Sequence, residues 1–156
     1  MEFSQEILDF WEKVKKETGI YDAFTDAYGI GGTYELKQQL LNLILDGKKR
    51  ASTSLVKESE LEGWPEPEVG QYNIVLDGYD KPAAVIRAVS IRRCRFSEVD
   101  EEHACWEGED EGTLESYIRE HTKYYTRRGA ALGFEFAPDM EVILERFELV
   151  YPAPNS

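Results

Sequence analysis

The sequence predicts an α+β fold, and three observations carry that prediction. Two helical apolar patterns fill the chain before Gly47, β-rich runs separated by turn signals occupy residues 71–96, and a third helical pattern precedes one closing strand.

Ser4 is placed to cap the first helix, whose Ile7, Leu8, Trp11 and Val14 recur at helical spacing up to Gly19. Gly29 to Gly32 reads as a loop, after which Thr33 caps a second helix carrying Leu36, Leu40, Leu43 and Ile44, ended by Gly47. Ala51 to Val56 is too short for a helix and reads as a strand. Glu62 to Gly70, with Pro65 and Pro67, is a loop. Gln71 to Leu76 is strand-like, and Asp77-Gly78 marks a turn before the long run Ala83 to Phe96. In that run Val85, Val89 and Ile91 share parity with Arg87, Arg93 and Arg95, which one bend or bulge explains. Glu98 to Glu111 reads as an acidic helix-and-loop connection. Thr113 caps the third main helix, with Leu114, Tyr117, Ile118, His121 and Tyr125, and Met140 to Tyr151 closes as a strand.

The length of 156 residues suits a single domain, with helices over 4–47 packed on the sheet. No apolar run approaches a membrane span of roughly 18 residues. The start, Met1 to Glu6, lacks the pattern of a secretory leader. Cys94 and Cys105 have neither metal nor disulfide spacing, so a reducing, cytoplasmic setting is expected. The net charge of −13 argues against a general grip on nucleic acid. Ten of the 18 basic residues nonetheless fall in three groups: Lys48 to Arg50; Arg87, Arg92, Arg93 and Arg95; and Lys123, Arg127 and Arg128. They are either solvated faces or, if the fold gathers them, a local positive site.

Six segments, in order, resemble the ASCH domain family. Leu43 to Leu55 carries its helix, its Gly-Lys motif and a strand. Gly70 to Asp77, Phe96 to Val99, Trp106 to Glu109, Leu114 to Tyr125 and Glu145 to Tyr151 follow. The resemblance implies a PUA-like, twisted and partly closed β-barrel with surrounding helices. It also implies a cleft beside the Gly-Lys strand that takes a nucleoside or short RNA segment, with no cofactor and no membrane. Several members are thought to bind RNA, some have been proposed to cleave it, and one bacterial branch hydrolyses the amide of N4-acetylcytidine. Carried over by motif, that branch's Lys, Thr and Glu fall on Lys49, Ser52 and Glu107, with Ser replacing Thr.

The chemistry of such a set is straightforward. A Ser hydroxyl needs a base to become a nucleophile, an uncharged Lys49 beside Lys48 and Arg50 could supply it, and Glu107 could pass the proton to the leaving amine. The expectation is that all three side chains meet in one open cleft. Alone, each has a plainer reading: a helix-end cation, a strand hydroxyl, and one acid among nine between Glu98 and Glu115. Lys48, Arg50, Ser54, Trp64, Tyr72 and Arg146 are the further candidate ligand contacts. Trp64 and Tyr72 would stack on a base, although core packing is the commoner fate of a strand Tyr. His103, Cys105 and Glu107 match no zinc pattern, and His121 reads as a hydrogen-bonded core histidine. An RNA-binding module and a ribonuclease stand beside the amidohydrolase, and the oligomeric state is not legible.

Overall fold

The computed structural model describes residues 3–154. Met1, Glu2, Asn155 and Ser156 lie outside the described residues, and the reading of Met1 to Glu6 as lacking a secretory leader falls partly on them.

Both predicted N-terminal helices form. Helix α1, Gln5–Thr18, starts where the Ser4 hydroxyl accepts the Ile7 N–H and stops at left-handed Gly19. Its Ile7, Trp11 and Val14 bury against Ile74, Leu76 and Val85 of the sheet. Helix α2, Tyr34–Leu45, is capped by Thr33 and lays Leu41 and Ile44 on Val75, Ala84, Ile86 and Phe147. Past its end Gly47, at φ +76°, turns the chain so that the amides of Lys48 and Lys49 both donate to the Leu43 carbonyl.

The sheet is a curled half-barrel in the order β1-β3-β4-β5-β2. Its strands are β1, Asp26–Tyr28; β2, Ala51–Leu55; β3, Tyr72–Leu76; β4, Pro82–Arg95; and β5, Glu141–Tyr151. β1 runs parallel to β3, and the other pairs are antiparallel. The register of β4 on β5 shifts twice, at Val85/Ile86 and at Ala88/Ser90, where the sequence suggested one irregularity. At Ala88/Ser90 the extra residue is Val89 of β4 and at Val85/Ile86 it is Val150 of β5, so β4 itself carries one bulge, in line with its mixed parity.

Helix α4, Glu101–Glu107, and helix α5, Leu114–Leu132, cover one face of β2 and β5. There Tyr117 and Tyr125 pack with Leu55, Phe96, Val142 and Leu144. Two elements were not foreseen. β1 is a three-residue strand, and helix α3, Val56–Glu62, continues directly from β2 without a side-chain cap. No helix among the described residues is long and apolar enough to cross a membrane.

The join between α4 and the Gly-Lys turn is unusually close. Gly108 closes α4 at φ +66°, and a Cβ there would collide with the Lys48 carbonyl. Gly112 has a similar φ, +68°, but open space around it. Gly108→Ala should therefore cost at least ~2 kcal/mol in urea denaturation, adding a backbone clash to the strained φ. Gly112→Ala should cost only about 1 kcal/mol.

Candidate functional site

Successive side chains of β2 point to opposite faces, and the two faces differ in kind. Toward α4 and α5, Thr53 enters a closed polar network. His103 and Glu107 stand four residues apart on α4, Tyr117 and His121 four apart on α5, so each pair shares a helix face. Thr53 Oγ1 lies 2.7 Å from the Tyr117 hydroxyl, 3.0 Å from His103 Nε2, and in a short contact with Glu107 Oε2.

Proton positions follow from what each group can accept. Glu107 accepts the Thr53 hydroxyl proton, so Tyr117 donates to Thr53, and His103 carries its proton on Nε2. His103 Nδ1 is left bare, buried and without a partner. His121 Nδ1 faces the Tyr117 carbonyl at 2.9 Å and its Nε2 faces Glu107 Oε1 at 3.2 Å. Both acceptors demand N–H, so this ring is an imidazolium.

Charge reinforces the geometry. Burial pushes the Glu107 carboxyl up, but the Lys49 charge and the bonds from His103 and His121 outweigh it and hold the group well below its usual range. Burial opposes the charge on His121, yet Glu107 raises its pKa above the ordinary value. Lys49, 1% exposed, donates to the Ala51 carbonyl at 2.8 Å and to Glu109 at 2.6 Å, with the Glu107 carbonyl at 3.5 Å. Its ammonium is fully engaged.

Lys49 reaches the backbone carbonyl of Glu107 and pairs with Glu109, both Lys49 and Glu107 are buried and not in an open cleft, and the hydroxyl on Glu107 is that of Thr53. Ser52 faces the other way, into a cavity of about 450 Å³ between β1, β2, β3, β5 and the 63–71 loop. Ser54 and Trp64 line it too, the indole being 48% exposed. Tyr72 does not: it packs on Trp11 in the α1 cluster, with ring centroids 5.9 Å apart. Arg50 and Arg146 both stack over Trp106, at 4.2 and 4.5 Å, and Arg146 also pairs with Glu102. Arg50 and Trp106 border a second cavity of about 410 Å³ with Ile44, Val89, Phe147 and Leu149. Lys48 is exposed.

The cavity also holds three residues the sequence did not single out: Tyr28, Asn73 and Glu145. Glu145 is the cross-strand partner of Ser52, so the two side chains share that face. Burial alone raises the Glu145 carboxyl, and no cation among the described residues offsets it. Asn73 Oδ1 is buried and has no hydrogen-bond partner. Tyr28 stands beside the Asn73 amide; burial, with Glu145 and Asp26 adding to it, raises its hydroxyl pKa well above the usual value.

The closed network makes two stability predictions. Glu107, depressed in the fold, contributes stability above its unfolded value near 4.5 that is lost as pH falls through the folded value. His121, raised in the fold, contributes below its unfolded value near 6.5 and loses that as pH rises through the folded value. Stability against pH should decline on both sides of this window. Glu107→Gln should cost ~3–5 kcal/mol inside it and flatten both limbs, as read from urea midpoints across pH. Thr53→Val should cost about 1–3 kcal/mol, whereas Ser52→Ala should stay within about 0.5 kcal/mol of the parent.

Comparison with known proteins agrees with this architecture. The crystal structure of an ASCH domain from Lactobacillus crispatus JV V101 superposes with a TM-score of 0.88 at 29% identity, covering 97% of this chain and 98% of that one. A crystal structure of a protein from Enterococcus faecalis V583 gives 0.85 at 27% identity, covering 94% and 91%. No curated protein matches the chain significantly. The ASCH domain family model matches residues 26–151, which takes in the whole sheet, the closed network and the cavity. The chain belongs to the ASCH domain family.

Proposed function

We propose that the cavity beside Ser52 binds a nucleoside, or one unstacked base of a short RNA segment, and that binding is its task. The observation that carries this reading is a cavity in which two polar groups, Asn73 Oδ1 and the Glu145 carboxyl, lack partners inside the protein. Asn73 Oδ1 is orphaned, Glu145 has no cation, and Trp64 offers an aromatic face at the mouth. Buried polar groups are ordinarily paired, so unpaired ones converging on one space suggest a ligand. About 450 Å³ falls within the range of small-molecule sites.

No Lys or Arg lines the cavity. A phosphate would find no counter-charge there, so the recognised unit is the base and sugar, with any RNA backbone left outside. Stacking on Trp64 suits any base, and the polar floor supplies selection. The buried network favours binding over amide hydrolysis: Lys49 is committed to Ala51 and Glu109, and Ser52 turns away from both Lys49 and Glu107.

Titration with nucleosides, followed by Trp fluorescence and calorimetry, tests the reading. Saturable 1:1 binding is expected, and Trp64→Ala should weaken it on the order of 5- to 100-fold through lost stacking. N4-acetylcytidine incubated with the protein should be recovered intact by mass spectrometry. Release of cytidine, abolished by Ser52→Ala, would replace binding with catalysis.

A further inference from the structure

We infer that the ligand presents an amidine-type edge, a ring nitrogen beside an unsubstituted amino group, to Glu145 and Asn73. The inference rests on the proposed nucleoside cavity and specifies what that cavity selects.

Glu145 is surrounded by groups that cannot neutralise it. Ser52 faces it from β2 and Ile91 from β4, while Tyr28 and Asp26 stand near it on β1. Glu60 and Glu66 are the other acids of the lining, and Glu66 is already paired with Arg93. Burial raises the pKa of this carboxyl, and a ligand that accepts its proton binds the protonated form. A protonated carboxyl has one donor and one acceptor side by side. That pattern complements a ring nitrogen that accepts and a neighbouring amino group that donates, as on cytosine or adenine. Uracil and hypoxanthine present the reverse, an N–H beside a carbonyl, which a carboxyl with its proton on the other oxygen pairs equally well, so the choice between the two edges falls to Asn73.

An amino group has a second hydrogen, which needs its own acceptor when buried. Asn73 Oδ1 is such an acceptor, buried and unpartnered on the same cavity. Ser52 and Ser54 remain for ring or sugar oxygens. Ionised Glu145 would set its negative charge against the ring nitrogen lone pair, so binding takes up a proton and weakens as pH rises.

Calorimetry across a range of pH with cytidine, adenosine, uridine, inosine and N4,N4-dimethylcytidine tests this. Cytidine or adenosine should bind at least ~10-fold more tightly than uridine, inosine or the dimethyl analogue, since each mismatch strands a buried polar group. The preferred ligand should lose affinity as pH increases. Glu145→Gln keeps a donor and an acceptor but cannot ionise, so its affinity should become independent of pH and exceed the parent's at the alkaline end. Glu145→Leu and Asn73→Leu should each weaken binding by about 10-fold or more.

Equal binding of uridine and cytidine, or affinity that rises with pH, would overturn the amidine edge while leaving the nucleoside cavity intact. Failure of every nucleoside to bind would remove both. Melting curves of each variant separate lost binding from lost folding.

Discussion

The carboxylate of Glu107 is almost fully buried, and a buried charge is tolerated only where cations and hydrogen-bond donors converge on it. Those groups come from different parts of the chain: Thr53 from β2, His103 from α4 itself and His121 from α5, with Tyr117 of α5 bonded to Thr53 and Lys49, in the turn after α2, adding its charge while it bonds Ala51 and Glu109. Satisfying one carboxylate therefore pins α4 and α5 to the same face of β2. The formal charges nearly close on themselves, with Lys49 and His121 against Glu107 and Glu109. A network so complete specifies geometry, because moving any member leaves another one bare.

With the helices held on that face, the other face of β2 is free to border a cavity. Ser52 and Ser54 look into it, and strand pairing brings Glu145 directly across from Ser52. The contrast between the faces is physical. On one side nearly every polar atom has a partner, His103 Nδ1 excepted, while on the other Asn73 Oδ1 and the Glu145 carboxyl are left without one. The first arrangement contributes to stability, and the second costs stability, as the proposed recognition site would.

Much of this was legible from residue patterns. Caps at Ser4, Thr33 and Thr113 with glycines beyond each helix gave the three main helices, since those signals are local. The two unforeseen elements have no comparable signal: β1 is too short to show a period, and α3 begins straight out of β2 with no capping side chain. The site shows a finer limit. Ser52 and Thr53 are adjacent hydroxyls, and which one meets Glu107 depends on strand parity, fixed by the pairing of Ala51 with Arg146 and Leu55 with Val142. Family alignment located the motif but not the face. Glu145 had a readable clue: Val142, Ile143 and Leu144 are all apolar, so β5 is covered on both faces there and the acid that follows stays partly buried.

Charge is where sequence and structure differ most in meaning. The three basic groups along the chain suggest a positive surface, but six of those ten residues sit in ion pairs among the described residues. Arg87 meets Glu148, Arg92 meets Asp100, Arg93 meets Glu141, and Arg128 meets Glu58. Lys49 is buried on Glu109, and Lys123 is paired with Glu120. Arg50 has turned its guanidinium onto Trp106. Most of the clustered charge is thus paired in space, and the excess of acids dominates the field at a distance. A polyanion approaching this molecule gains little from it, while an uncharged heterocycle pays no such penalty. In the proposed binding, selection falls to shape, stacking and hydrogen bonds inside the cavity, where a missing partner for Asn73 or Glu145 costs more than a surface ion pair returns.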